Sequence, residues 1–287
     1  MFSLLGIDET IKNVYLLSKS HMENQSIKQV ADLKSYYLKF LNQHQPYQPV
    51  NFTDNIFVSA TNKLEQLKNA YQPGRLDDLN QVDMMGENYN IEERCQLQYR
   101  VHQGYQQLTR ENKELKCIFD LVIHSVFFRK SAKICNLQSF GGSSSTAMGS
   151  IWISGHGALT TEDIAEFLLH ELIHHLLFID ERCHQQFNYQ EIVKRENYAT
   201  SALLKKKRPM DKVVHSIIVA TEIIIARDRF LGCANVSVHP TSEILRKNIN
   251  LSIEDVISMP QLNHLISNRV ECLLIKAYKS INQRRPL

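Results

Sequence analysis

Residues 160 to 179 read TTEDIAEFLLHELIHHLLFI. Thr160 and Asp163 have the spacing of a capping box, and Ile164, Phe167, Leu168 and Leu172 recur at helical intervals, so the stretch predicts a helix from about Thr161 to Ile179. Side chains four apart share a helical face, so His170 and His174 can offer imidazole nitrogen to one ion, with Glu171 about 100° round the helix. A chain with this many histidines and glutamates would show the His-Glu-x-x-His pattern about 0.03 times by chance. Three polar residues in the middle of an apolar helix are also costly to bury unless something coordinates or hydrogen-bonds them. His175 is one residue further on, faces away from the other two and reads as a packing or supporting histidine.

Working outward, SIWIS (Ser150 to Ser154) reads as a strand, preceded by the glycine- and serine-rich loop FGGSSSTAMG. Gly141 to Ser145 could form a mobile lip and an exposed edge of SIWIS could pair with an extended peptide, but an ordinary loop and a central strand are the favoured reading. CIFDLVIHSVFF (Cys117 to Phe128) reads as a second strand. Helical periodicity covers residues 8 to 45, a segment near Ala60 to Ala70, and Ile91 to Lys116; Gln45 to Asn90 otherwise reads as irregular connection. Further helices are expected over Asn188 to Leu204, Asp211 to Phe230 and Pro260 to Asn282. The sum is an α+β fold, mostly helical with a small central β-sheet. A helical region, 1–116, is expected to join a metal-binding region, 117–287, in one compact unit.

A third ligand is expected from a later helix. In DKVVHSIIVATEIIIARDRF, His215 and Glu222 are seven apart, share a face and sit among Val, Ile and Ala. Either could complete the set. An H-E-x-x-H-x-x-G-x-x-H pattern would need glycine at Leu177 and histidine at Asp180, and His184 comes too late to substitute. Two chemistries remain open: a zinc peptidase, with Glu171 as general base, or an oxygen-activating iron enzyme that keeps coordination positions open.

The stretch GSIWISGHGALTTEDIAEFLLHELIHHLL, followed by His215 inside RPMDKVVHSI, resembles the H-E-x-x-H family of peptide β-hydroxylases. Gly149, Ile151, His170, Glu171, His174, Arg208, Pro209 and His215 stand where that pattern would place them, and the likeness runs over roughly residues 139–230. The chain departs from the pattern in the lysines at 205 to 207 and in Ser216. The resemblance implies a zincin-like helix packed on the sheet, with dependence on Fe(II) and 2-oxoglutarate. It makes His170, His174 and His215 the iron ligands and implies hydroxylation of a side-chain β-carbon in a peptide, often a ribosomally made precursor. A basic residue would pair with the distal carboxylate of the keto acid; Arg208 is the candidate, because a guanidinium suits a carboxylate better than the neighbouring ammonium groups do. Glu171 would then orient a ligand or a water.

The rest of the composition bounds these readings. In 287 residues, 33 basic and 30 acidic side chains give a net charge of only +3, which implies no nucleic-acid partner. Six scattered cysteines without a CxxC pair argue against a disulfide framework or thiolate zinc site and for a reducing cytoplasm. MFSLLGIDETIK fails as a secretory signal, and the absence of an 18-residue apolar run predicts no membrane span.

Overall fold

The computed structural model describes residues 4–22, 26–74, 76, 81–133, 138–157, 159–232 and 238–282. Cys135 and Cys233 lie outside the described residues, while Cys95, Cys117, Cys183 and Cys272 carry free thiols. The fold is α+β, dominated by helices around a small mixed sheet. Among the described residues no helix is long and apolar enough to cross a membrane. The chain divides into two compact units, Ile7–Cys183 and His184–Leu287 with Phe2–Gly6.

The first unit begins with α1 (Ile7–Ser18), α2 (Leu33–His44), β1 (Phe57–Val58), α3 (Thr61–Ala70), α4 (Gln81–Met84) and β2 (Met85–Asn88). It continues with α5 (Ile91–Thr109), α6 (Lys113–Val122), β3 (Ser125–Ser131), β4 (Gly141–Gly142), β5 (Ser150–Ile153) and α7 (Thr161–Cys183). Residue 116, where the sequence suggested a boundary, lies inside α6. β3 pairs in parallel with β5, Val126 opposite Ile151 and Phe127 opposite Trp152, and β1 and β2 both lie against β3. On one face Phe127 and Trp152 pack with Leu64, Leu67 and Tyr71 from α3 and its end. Alternation sends Val126, Phe128, Ile151 and Ile153 to the opposite face, and all four are buried, so the strands read as continuous apolar runs.

Two sequence expectations change here, and one holds. CIFDLVIHSVFF is half helix: the Asn112 side chain accepts from the Leu115 amide and Lys116 pairs with Asp120 one turn on, so α6 runs to Val122 before the strand starts at Ser125. SIWIS is a central strand, as the favoured reading has it: β4 pairs with it antiparallel on the side away from β3, Gly142 opposite Trp152. The glycine- and serine-rich stretch is pinned rather than loose. Tyr71 Oη donates to the Gly142 carbonyl at 3.2 Å, Gln81 Nε2 to the Ser143 carbonyl at 2.9 Å, and Thr146 Oγ1 to the Ala70 carbonyl at 2.6 Å.

α7 packs against α5, α6 and α1. At Gly104 of α5 an added Cβ would stand 2.4 Å from Ile164 Cγ2, so the glycine permits the close approach of the two helices.

In the second unit, α8 (Tyr189–Ile192) is followed by β6 (Ala199–Thr200), β7 (Lys207–Arg208), α9 (Met210–Ala226), α10 (Ser242–Ile257), α11 (Leu262–Leu265) and α12 (Asn268–Asn282). The helix expected over Asn188 to Leu204 is a single turn, because only Ile192 of that turn is buried and no apolar stripe continues it. The chain instead forms the antiparallel pair of β6 and β7, and Lys205 between them has a left-handed φ of 53°. α9 is apolar all round and buried between α10 and α12. α10, unread from the sequence, buries Leu245, Ile249, Ile253 and Val256 at helical intervals behind a Thr241 cap.

Candidate metal centre

Thr160 and Asp163 form the expected box at the start of α7: Asp163 Oδ2 accepts from the Thr160 amide at 2.9 Å and Thr160 Oγ1 from the Asp163 amide at 3.1 Å. From Asp163 to Asp180 every side chain is buried except His170, His174 and Phe178, which follow one another at intervals of four. The single unsealed stripe of the helix therefore carries both motif histidines.

The Nε2 atoms of His170 and His174 are 3.1 Å apart, with ring centroids at 4.8 Å. Two nitrogens at that separation, each about 2.05 Å from one ion, subtend about 98°, between the octahedral and tetrahedral angles. The same separation suits an N–H···N bond between neutral rings, so loading an ion requires the donor ring to carry its proton on Nδ1 instead. The donor set thus fits a borderline divalent metal.

Glu171 is buried beside this pair, its Oε1 3.9 Å from His170 Nε2. Burial pushes its carboxyl up to about 7, opposed by the nearby hydroxyl of Ser143. Tyr71, whose Oη donates to the Ser150 carbonyl at 2.7 Å, is held neutral: burial and then the Glu171 charge push its phenol well above the usual value.

His175 points the other way, into the sheet. Its Nδ1 accepts from the Gly149 amide and its Nε2–H donates to the Ser150 carbonyl, both at 3.1 Å. His124 grips the same turn: its Nδ1 accepts from the Asn51 amide at 3.3 Å and its Nε2–H donates to the Met148 carbonyl at 3.0 Å. Desolvation lowers both imidazoles to about 3, so both are neutral. Gly149 between them has φ +82°, and a Cβ there would meet His124 Cδ2 at 2.6 Å and the Val122 carbonyl at 2.7 Å. The two rings thus fix the entry to β5. Sequence reading missed the roles of His124 and Ser143. For His124 the signal was a histidine within an apolar run; a serine in a serine-rich loop gives none.

The remaining expected residues belong to the second unit. His215 is buried on α9, and its imidazole is lowered to about 3 by desolvation, then by the charges of Lys212 and Arg208. Arg208 is half-buried on β7, directly before Pro209 and α9. Lys207 is tied to Asp255 at 2.8 Å. Glu222 is buried on α9, where its Oε1 accepts from the Leu4 amide at 2.9 Å, anchoring the N-terminal segment. The structure thus groups His170, Glu171 and His174 in one unit and Arg208 with His215 in the other.

No protein-family model matches this chain, and no curated protein matches it.

Proposed function

We propose that the protein is a metal-dependent enzyme, and specifically an Fe(II)- and 2-oxoglutarate-dependent oxygenase that hydroxylates a side-chain β-carbon in a peptide. The observation that carries the reading is the pair of Nε2 atoms 3.1 Å apart on the one unsealed stripe of a buried helix. His170 and His174 would hold the ion, with the third nitrogen assigned from the sequence to His215. Arg208 would bind the distal carboxylate of the keto acid, and its charge beside His215 favours an anion there. When bound, the ion and the keto acid supply the oxidising chemistry. The protein's part is to orient the two rings, to exclude water with the apolar walls of α7, and to hold Glu171 alongside. The reading rests for its reaction class on the resemblance across residues 139–230.

One observation favours a second reading, a zinc peptidase. Glu171 has a carboxyl near 7 within 3.9 Å of His170 Nε2, which suits a general base taking a proton from water. Anaerobic reconstitution of the full chain with Fe(II), followed by 2-oxoglutarate, oxygen and a panel of short peptides, separates the two. Peptide-stimulated succinate release with a peptide gaining one oxygen supports the oxygenase. Stoichiometric zinc with peptide cleavage and no succinate supports the peptidase.

A further inference from the structure

The stripe of α7 that carries the motif histidines does not end with them. Phe178 follows His174 by four residues, so three rings, His170, His174 and Phe178, stand in a row along the unsealed face of the helix. Helical side chains lean toward the N-terminus, which lays the Phe178 ring back over the turn that bears His174 and His175. It meets both. The ring stacks on the His174 imidazole at a centroid separation of 6.1 Å and an interplanar angle of 21°, and stands edge-on to His175 at 5.9 Å and 77°. His175 is itself fixed, because its two nitrogens are bonded to the Gly149 amide and the Ser150 carbonyl, both at 3.1 Å. The phenyl ring is thereby set against an anchored imidazole on one side and presented to a motif imidazole on the other. His174 in turn lies between Phe178 and the His170 ring, the latter at 4.8 Å and 60°. An imidazole on a helix has two open χ1 wells and a broad χ2, and a ring packed on its face narrows that freedom.

We propose that Phe178 is a positioning residue of the metal centre: its ring holds the His174 imidazole in the orientation that brings Nε2 within 3.1 Å of His170 Nε2. The proposal rests on the metal-centre reading above. Phe178 acts through the ligand ring and not on the ion or the substrate.

Co(II) serves as the probe, titrated into the metal-free full chain, with affinity read by chelator competition and geometry by the visible d–d spectrum. Phe178→Leu keeps an apolar side chain but loses the planar face. It should weaken Co(II) binding about fivefold, the order expected for one aromatic pair, and change the spectrum. Phe178→Met, which also fills the space without a ring, should do the same, and Phe178→Tyr, which keeps the ring, should restore both. In the metal-free chain, NMR of selectively labelled histidine rings should show the nuclear Overhauser contact between His170 and His174 weakened in Phe178→Leu and restored in Phe178→Tyr. Wild-type affinity, spectrum and ring contact in Phe178→Leu or Phe178→Met, or a loss in Phe178→Tyr equal to that in Phe178→Leu, would overturn the proposal while leaving the metal centre standing. Should His170→Ala and His174→Ala bind Co(II) as wild type does, the metal centre itself is wrong and this role goes with it.

Discussion

His170 Nε2 and His174 Nε2 lie 3.1 Å apart, one helical turn from each other, while His175 next to them reaches in the opposite direction to the Ser150 carbonyl at 3.1 Å. A single turn of α7 thus serves two ends. One face presents a pair of nitrogens at metal-ligand spacing, and the other nails the helix to the sheet.

Arg208 tests the keto-acid assignment. Arg208→Ala should raise the 2-oxoglutarate KM by 10- to 100-fold, roughly the 1.5–3 kcal/mol of a charge-assisted hydrogen bond, without changing metal content. Arg208→Lys should recover only part, because an ammonium lacks the bidentate fork. An unchanged KM in Arg208→Ala would place that side chain outside the site.

Gly149 tests the clamp at the entry to β5. Gly149→Ala should destabilise the protein by about 3 kcal/mol, combining left-handed strain with the clash against His124 and the Val122 carbonyl. Gly232→Ala, also at positive φ but with nothing within 4 Å of the added Cβ, should cost only about 1 kcal/mol. Urea denaturation of the two variants gives both numbers, and equal losses would show that packing at Gly149 contributes nothing.

Acid stability follows from the buried rings. His124 and His175 titrate near 3 when folded and near 6.5 when unfolded, so between those values the unfolded state binds more protons and stability falls as pH drops. Each ring should cost about 1.4 kcal/mol between pH 7.5 and 5.5 in metal-free protein. Glu171 has the opposite sign: its carboxyl is raised to about 7 when folded, so below that pH the folded state holds the extra proton and gains stability as pH falls. Glu171→Gln should therefore lose stability more steeply than wild type over this interval, by roughly 1.5 kcal/mol. Parallel curves for the two proteins would contradict the burial of Glu171 as a titrating carboxyl.

What could be read from the sequence was whatever a single element encodes locally. The box at Thr160 and Asp163 and the apolar spacing to Leu172 specify α7 without tertiary help, and the four-residue interval puts His170 and His174 on one face. What escaped depends on contacts far apart in the chain. Tyr71 and Gln81 meet Gly142 and Ser143 across more than sixty residues, so a glycine- and serine-rich run reads as loose although it is bonded throughout. The helix end within CIFDLVIHSVFF was missed because a short apolar run has no decisive period, and the deciding signals were the Asn112 cap and the Lys116–Asp120 pair.

The most direct test of the account is a calorimetric metal titration of the chain. The paired rings predict one divalent ion per chain, and loss of that binding in both His170→Ala and His174→Ala with the fold retained by circular dichroism. Undiminished binding in either variant, or no binding by the wild-type chain, would contradict it.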